Sequence, residues 1–464
     1  MSGQDETFMA VALECAAQGL GAVEPNPMVG AVIVRDGVEI ARGYHKKFGG
    51  PHAEIEAMRA GEKGTGTANS RGASPLFPRP EKGDRHGIRP PSQSPFFGAT
   101  MYVTLEPCCH RNKKTPPCTE SMIPSGISRV VVAMEDPDAN VRGRGVAALR
   151  AAGIEVTVGV CEAAARKLLA AYIKLRTRGL PWVIAKWAQT ADGYLALEGP
   201  LPAGRGSPEK EGPLPAGRGS PEKEGPLPAG RGSPEKEGPL TAVRGSQRRW
   251  ISNELSRAHA HQVRSVCDGV VVGIGTVLAD DPMLTARRAK SEERRANGEE
   301  GTAKSEEQVS LRQPLRVVLD CELRIPLTSR LVQTVREFPL AIVASPEGLE
   351  RNKGKARVLQ DAGAEVVAID PRGPGRLDLD KLLVEMGWRQ WTRVLIEGGP
   401  TVLRETLDLG LADEVMVYVS PAKVGAIREN LPRLDIAELA PSLHLTLEEE
   451  RSFGADRWFR YCRS

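Results

Sequence analysis

Aromatic side chains and long apolar runs are both scarce in this sequence, and their scarcity argues against two classes of partner. Phe, Trp and Tyr make up 4% of the chain, too few for the stacking surfaces on which single-stranded nucleic acids bind. The 63 Lys and Arg nearly balance the 59 Asp and Glu, so no basic groove for a nucleic acid is expected. No run of 18 apolar residues occurs, which predicts that the chain does not bind a membrane through a spanning helix.

The sequence also lacks the signs of a secreted protein. Its first residues do not show a basic segment followed by an apolar one, so no signal peptide is expected. The 8 Cys are scattered over 464 residues, unlike the dense cysteine framework of a small secreted domain. Reduced thiols and a cytoplasmic location are therefore predicted.

The length of the chain predicts two or three domains. Helical and strand patterns alternate over residues 1–160, which is typical of a layered α/β domain. Residues 161–180 are interpreted as a connecting helix. A second α/β pattern follows in residues 181–464.

Three segments interrupt these patterns. Residues 61–98 are rich in Gly, Pro, Ser and Arg, and residues 288–313 carry mixed charges. Residues 199–245 include three identical copies of a 13-residue unit that offers one Leu and one Ala to a core. So little apolar surface does not favour a solenoid. The repeats are therefore predicted to form a disordered surface loop.

The strongest chemical signal is a set of possible zinc ligands. His52-Ala53-Glu54 precedes Pro107-Cys108 and Pro117-Cys118, and this pattern is typical of zinc-dependent nucleobase deaminases. A catalytic zinc has three protein ligands and a water, which we assign to His52, Cys108 and Cys118. A structural zinc site would need a fourth ligand, for which Cys109 and His110 are the neighbouring candidates.

Glu54 is the predicted general base of this site. Zinc lowers the pKa of a bound water from 15.7 to about 7, a change worth roughly 12 kcal/mol. A carboxylate can then take the water proton and pass it to the ring nitrogen and to the departing ammonia. His52 and Glu54 are two residues apart, so both can approach a metal from the first turn of a helix that begins after Pro51.

Two glycine-rich segments of the second pattern are candidates for binding a cofactor. Gly273-Ile274-Gly275 lacks the third glycine of a dinucleotide fingerprint, and no helix is predicted to begin there. Glu397-Gly398-Gly399-Pro400-Thr401 ends a strand and precedes a predicted helix at 402–409. The N-terminus of that helix would attract a phosphate.

Taken together, the motifs resemble the bifunctional deaminase–reductases of riboflavin biosynthesis. The resemblance covers nearly all of the chain outside the three insertions. It rests on motifs in a fixed order: Pro25-Asn26-Pro27-Met28-Val29-Gly30, Gly43-Tyr44-His45, His52-Ala53-Glu54, Thr104-Leu105-Glu106-Pro107-Cys108, Thr115-Pro116-Pro117-Cys118, Asp192-Gly193, Trp250-Ile251-Ser252, Gly275-Thr276-Val277-Leu278-Ala279-Asp280-Asp281-Pro282 and Glu397-Gly398-Gly399-Pro400.

The resemblance implies the fold and the reactions of both halves. The fold is α/β, with an N-terminal cytidine-deaminase-like three-layer domain and a C-terminal dihydrofolate-reductase-like domain. The first domain would use Zn²⁺ to deaminate 2,5-diamino-6-ribosylamino-4(3H)-pyrimidinone 5′-phosphate. The second would use NADPH to reduce the ribosyl group to ribityl. A small phosphorylated pyrimidine is thus the expected partner, and a homo-oligomer through the reductase domain is expected.

The resemblance also implies which residues contact the two ligands. The implied substrate contacts are Asn26, His45, His110, Lys114, Ser246, Arg264, Leu284, Arg287 and Glu397. The implied cofactor contacts are Gln189, Trp250, Thr276, Asp280, Cys321, Gly399, Pro400, Thr401, Val402, Leu403, Arg404 and Glu405. Lys186 is a candidate proton donor for the reduction, whereas His259 and His261 are expected to be solvated.

One departure from the family concerns the zinc ligands. Nine residues separate Cys108 from Cys118, one more than is usual, and choosing Cys109 would restore the usual spacing. The Glu-Pro-Cys register favours Cys108. Two alternatives to the bifunctional enzyme are a single-function nucleobase deaminase and a reductase attached to an inactive deaminase half.

Overall fold

The computed structural model describes residues 3–64, 94–110, 116–195, 251–287, 311–425 and 431–463. The repeats and most of the other two predicted insertions lie outside these ranges, as do Lys114, Ser246 and Trp250. Within the described residues, no helix is long and apolar enough to cross a membrane.

The first half is built on one mixed sheet in the order β2-β1-β3-β4-β5. Its first two strands form an antiparallel hairpin through Asp36-Gly37, where both residues have positive φ, as a two-residue hairpin turn requires. The remaining strands pair in parallel from β3 to β5. The strands are β1 (Gly30–Arg35), β2 (Val38–Tyr44), β3 (Thr100–Val103), β4 (Arg129–Val132) and β5 (Glu155–Val158).

Helices cover both faces of this sheet, which confirms the three-layer prediction. The helices of the first half are α1 (Gly3–Ala17), α2 (Ala53–Gly64), α3 (Cys118–Met122), followed by a 3₁₀ turn (Ile123–Ser125), and α4 (Arg144–Ala151). Met9 of α1 lies in the core on one face, whereas Met58 of α2 and Leu149 of α4 lie in the core on the other. Gly43 lets α2 lie close to β2, because a Cβ there would be 2.3 Å from the amide nitrogen of Ala57.

The predicted connecting helix consists of two shorter helices. They are α5 (Glu162–Leu168) and α6 (Ala170–Arg178), and Leu169 between them leaves helical geometry with φ −95° and ψ 10°. Leu169 is buried against the first sheet. Leu169 therefore packs into the core at the point where the predicted helix is divided into α5 and α6.

The second half is built on a nine-stranded sheet in the order β10-β9-β8-β7-β13-β6-β14-β16-β15. The strands from β10 to β14 in this order run parallel, and β16 and β15 add an antiparallel edge. The strands are β6 (Trp182–Thr190), β7 (Gly269–Gly273), β8 (Leu315–Leu319), β9 (Leu340–Ala344), β10 (Glu365–Ala368), β13 (Arg393–Glu397), β14 (Glu414–Ser420), β15 (Leu445–Phe453) and β16 (Asp456–Arg463), with β11 (Pro371–Gly373) and β12 (Arg376–Leu377) in a separate pair.

The helices of the second half complete two apolar cores, one on each face of this sheet. They are α7 (Glu254–Ser265), α8 (Ile274–Asp280), α9 (Arg330–Gln333), α10 (Pro346–Arg351), α11 (Lys353–Ala362), α12 (Leu379–Trp388), α13 (Pro400–Asp408) and α14 (Ile436–Ser442). The prediction that no helix begins after Gly273 was wrong, since α8 starts at Ile274. Ile274 and Val277 of α8 are buried in the core. Tertiary packing therefore stabilises this helix, although the glycines of the segment weaken the helical pattern in the sequence.

Candidate active sites

The three predicted zinc ligands come from three elements and meet at one point. His52 directly precedes α2, Cys118 begins α3, and Cys108 follows β3 after a short connection. The Nδ1 atom of His52 lies 3.6 Å from Sγ of Cys108 and 3.3 Å from Sγ of Cys118. A tetrahedral zinc with ordinary bond lengths would separate such N and S atoms by about 3.6 Å. The geometry and chemistry of this donor set therefore fit a zinc ion.

Hydrogen bonding couples the two thiols of this site. The bond from Cys118 lowers the pKa of the Cys108 thiol to about 3, with a further contribution from His52. The same bond, together with burial, raises the pKa of the Cys118 thiol well above its ordinary value. The Cys118 thiol therefore holds its proton more tightly than the Cys108 thiol does. Zinc binding releases such a proton because both ligands must be thiolates.

Glu54 lies in the first turn of α2 beside the ligands and outside their group. Its side chain is buried, and within the described chain its Oε2 accepts no hydrogen bond. Burial raises the pKa of Glu54, while the charge of His52 and a hydrogen bond from Cys118 lower it in part. A buried carboxylate with an unused oxygen next to the ligands is suited to accept a proton.

The structure brings Cys108, and not Cys109, to the other ligands. The group whose ligand atoms lie within 4.8 Å of one another is His52, Cys108 and Cys118. Cys109 is partly buried outside this group, and burial raises the pKa of its thiol. This geometry supports the choice made from the Glu-Pro-Cys register.

Two predicted pyrimidine contacts lie beside the same centre. The side-chain amide of Asn26 is 3.1 Å from Nε2 of His45, and Nδ1 of His45 is 2.8 Å from the carbonyl oxygen of Pro51. The rings of His45 and His52 meet edge to face with centroids 5.5 Å apart. His110 is partly buried two residues after Cys108.

Glu106 supports the segment that carries Cys108, a role that the sequence did not assign to it. Its buried carboxylate accepts hydrogen bonds of 2.8 to 3.1 Å from four backbone amides, those of Asp136, Gly143, Gly145 and Val146. These bonds tie the connection that carries Cys108 to the N-terminus of α4. The Glu-Pro-Cys motif contains the only sequence signal for this role, because the partners lie 30 to 40 residues away.

The second half contains a partly buried ion cluster around Glu397. Arg264 binds its carboxylate through Nε and Nη2 at 2.7 and 2.8 Å, and Nζ of Lys186 lies 2.7 Å from Oε1. Burial alone would raise the pKa of Glu397, but the charges of Arg264 and Lys186 hold it well below its usual range. Glu397 is directly opposite Lys186 in the pairing of β13 with β6, so the sheet register creates this ion pair.

The predicted substrate residues 284 to 287 lie next to this cluster. The carbonyl oxygen of Thr285 accepts a hydrogen bond from Arg264 at 3.1 Å, and Nε of Arg287 donates to Oγ1 of Thr285 at 3.0 Å. Arg287 is exposed. Leu284 has a φ of 54° and a buried side chain that packs in the core, so its backbone is the part suited to contact a ligand.

The two histidines of α7 are not solvated, and the prediction that they are was wrong. Nδ1 of His259 is 2.8 Å from the hydroxyl of Tyr418, and its ring stacks on Phe453 at 4.7 Å. His261 is 2.7 Å from the carbonyl oxygen of Thr285. Burial lowers the pKa of both imidazoles to about 4. Tyr418 also lies under Lys186, whose Nζ is 5.5 Å from the ring centroid.

The predicted phosphate segment has the expected local geometry. Gly399 caps α13, whose first residue is Pro400, and the amide of Gly399 donates to Oγ1 of Thr276 at 2.8 Å. A Cβ on Gly399 would lie 3.2 Å from the same oxygen, so this position favours glycine. β7 and β13 are neighbours in the sheet, which is why segments more than a hundred residues apart meet here.

The other predicted cofactor contacts differ in their accessibility. Leu403 is fully buried, and Gln189 is buried with its amide bonded to Trp187, Asp435 and the backbone of Ile436. Cys321 is partly buried beside Ser345. The exposed or partly exposed contacts are Thr276, Asp280, Thr401, Val402, Arg404 and Glu405.

Comparisons with known proteins agree with this two-site arrangement. Residues 2–134 match the model of the cytidine and deoxycytidylate deaminase zinc-binding region, and residues 240–458 match that of the RibD C-terminal domain. The riboflavin biosynthesis protein RibD of Aquifex aeolicus is 32% identical over 97% of this chain and 96% of its own.

Solved structures show the same likeness in three dimensions. Acinetobacter baumannii RibD is 27% identical with a TM-score of 0.67, over 99% of both chains. A diaminohydroxyphosphoribosylaminopyrimidine deaminase/5-amino-6-(5-phosphoribosylamino)uracil reductase from Thermotoga maritima is 28% identical with a TM-score of 0.65, again over 99% of both chains. The match in both halves excludes the single-function deaminase. The chain belongs to the RibD family of bifunctional riboflavin-biosynthesis enzymes, with a zinc-dependent deaminase half and an NADPH-dependent reductase half.

Proposed function

We propose that the deaminase half acts on 2,5-diamino-6-ribosylamino-4(3H)-pyrimidinone 5′-phosphate and that the reductase half converts the ribosyl group of the product to ribityl. The single observation that carries the deaminase proposal is the convergence of His52, Cys108 and Cys118 with the carboxylate of Glu54 beside them. The name of the Thermotoga maritima relative supports the same substrate class.

In the deaminase half, His52, Cys108 and Cys118 would hold the zinc. When bound, the ion would supply a water of lowered pKa as the nucleophile for the ring carbon that loses its amino group. Glu54 accepts one water proton at its unused Oε2 and passes it to the ring nitrogen, and it then carries the second, hydroxyl proton to the amino group that leaves as ammonia. Asn26 and His45 orient the pyrimidine, and His110, Lys114 or both approach its phosphate.

In the reductase half, the cluster at Glu397 would hold the sugar. When bound, NADPH would supply a hydride for C1′ of the ribosyl group. The C1′–O4′ bond would break, and a residue of this chain would have to give a proton to O4′. Lys186 is our candidate donor, because its Nζ lies 2.7 Å from Oε1 of Glu397, in the cluster that would hold the sugar. Arg264 fixes Glu397 in place, whereas the exposed Arg287, together with Ser246, is assigned to the substrate phosphate.

The cofactor would lie along the segment from Gly399 to Glu405. The N-terminus of α13 has backbone amides and a partial positive charge that favour a phosphate, and Thr276 fixes its first turn. Trp250, Gln189, Asp280 and Cys321 complete the proposed cofactor contacts. A homo-oligomer through the reductase domain and a cytoplasmic location stay predictions.

The proposal is tested by following ammonia and the ribityl product with and without NADPH. Ammonia should appear without NADPH, whereas the ribityl product should need it. Glu54→Gln should lower ammonia release about 100-fold or more and keep its zinc, while Glu56→Gln on the same helix serves as the control. Glu397→Gln should abolish the reduction and leave ammonia release intact. Deamination by a zinc-loaded Glu54→Gln enzyme at the normal rate would refute the assignment.

A further inference from the structure

A buried carboxylate of the deaminase half has both of its arginine partners in the reductase half. The side chain of Glu24 is 2% exposed, and its Oε1 lies 3.1 Å from Nη1 of Arg393. Its Oε2 accepts no hydrogen bond within the described chain and lies 3.9 Å from Nη1 of Arg312. Arg393 begins β13, and Arg312 precedes β8.

Asp268, which belongs to the reductase half as the two arginines do, holds both of them in place. Its Oδ1 pairs with Nη2 of Arg312, and its Oδ2 accepts the backbone amide of Arg393 at 2.9 Å. The side chain of Asp268 is 7% exposed. Two carboxylates and two guanidinium groups thus form one connected network between the halves. Arginine suits such a network because its planar group can serve several acceptors at once.

On the deaminase side, Glu24 stabilises the segment that carries Asn26. Its Oε1 accepts the amide of Gly21 at 3.1 Å, which closes a turn just before Pro25-Asn26. Gly21 itself packs on the reductase half, since a Cβ there would be 3.0 Å from Val266. The reductase half therefore contacts this turn at its first residue and at Glu24.

From Asn26 the contacts continue to the metal ligands. Asn26 bonds His45 at 3.1 Å, and His45 bonds the carbonyl of Pro51 at 2.8 Å. Pro51 is the residue before His52. Arg393 is thus connected with the zinc site by one ion pair, two hydrogen bonds of His45 and the short backbone stretches from Glu24 to Asn26 and from Pro51 to His52.

We propose that Arg393, supported by Arg312, positions the Glu24–Asn26 segment for pyrimidine binding, so that the reductase half completes the substrate site of the deaminase half. A buried carboxylate that loses its cation is strongly destabilised. Without Arg393, Glu24 would turn toward water and release Gly21, and Asn26 would move with it. This inference rests on the proposed contact between Asn26 and the pyrimidine.

The expected effect is on substrate binding more than on chemistry. Arg393→Gln should raise the KM for deamination about tenfold, the factor lost with one hydrogen bond. The kcat and the zinc content should change little, because Glu54 and the ligands are attached to other elements. Arg393→Lys keeps the charge and should recover most of the lost affinity, whereas a role in stability alone would lower the active fraction and leave KM unchanged.

The test uses the full chain, with ammonia release measured without NADPH so that reduction does not contribute. Arg389→Gln is the matched control, since Arg389 is in the same half and pairs with Glu365 and Glu385 away from the junction. In Glu24→Gln/Arg393→Gln no buried charge is left uncompensated, so the rise in KM should be smaller than in Arg393→Gln. If Arg393→Gln does not fold, the KM values of Glu24→Gln and of Arg393→Lys, each compared with that of wild type, decide the question.

Asn26→Ala distinguishes a failure of the proposed pyrimidine contact from a failure of the proposed coupling between the halves. A normal KM in Asn26→Ala would refute the pyrimidine contact, which belongs to the proposed function. A raised KM in Asn26→Ala with a normal KM in Arg393→Gln and in Glu24→Gln would refute the coupling between the halves. An equal rise in Arg393→Gln and Arg389→Gln would refute it as well.

Discussion

Replacing Glu106 with Gln should loosen the zinc site without touching a ligand. The two oxygens of Glu106 accept four backbone amides, with Asp136 and Gly143 on Oε2 and Gly145 and Val146 on Oε1. The side chain of Gln keeps one acceptor oxygen. Its NH2 group, which is a donor, takes the place of the other oxygen and faces the two backbone amides that this oxygen served. The connection that holds Cys108 would then separate from α4.

The size of the effect follows from the two amides that lose their acceptor. Each buried donor left unsatisfied costs about 1–3 kcal/mol, so the substitution should cost about 2–6 kcal/mol. Part of this loss should appear in metal binding, because Cys108 is two residues from Glu106. Supporting residues of this kind typically change metal affinity by about 10–100-fold.

The assay is competition for zinc with a chromophoric chelator, combined with urea titration while zinc release is followed. Glu106→Gln should release zinc at a lower urea concentration and bind it more weakly. Glu155→Gln is the control, since Glu155 is 71% exposed and pairs only at the surface with Arg129. Zinc affinity and a urea midpoint equal to those of wild type would refute this account of Glu106.

Three further predictions concern other residues. Cys108→Ser should lose zinc and Cys109→Ser should keep it, as metal analysis would show; the opposite result would mean that the zinc ligand is Cys109. Gly145→Ala should lower the urea midpoint for zinc release, because its Cβ would lie 2.0 Å from the carbonyl oxygen of Pro107; Gly354→Ala, with open space around its Cβ, should not. The pKa of His259 is about 4 in the folded state and about 6.5 in the unfolded state. Between these pH values the unfolded state binds more protons than the folded state, so the free energy of unfolding falls as the pH falls. His259→Gln should lose less stability than wild type between pH 6.5 and pH 5 in urea titrations, and an identical loss would contradict the burial argument.

Tertiary contacts decided several features that the sequence could not determine. The helix after Gly273 was missed because an apolar segment with three glycines fits a strand and turn equally well, and only the core contacts of Ile274 and Val277 favour a helix. The solvated state expected for His259 was wrong because its partners, Tyr418, Phe453 and Trp458, are more than 150 residues downstream.

The sequence by itself indicated the chemistry of the deaminase half, because residue types and short spacings carry it, whereas the chemistry of the reductase half followed from the resemblance to a known family. His52 directly precedes α2 and Glu54 lies in its first turn, and the pattern around Glu397 predicted the end of a strand, a glycine pair and a helix, as found. Only the tertiary structure decided which distant groups share a charge or a hydrogen bond. Glu24 and Arg393 are 369 residues apart, and no local pattern relates them, since ion pairing depends on distance in space and burial.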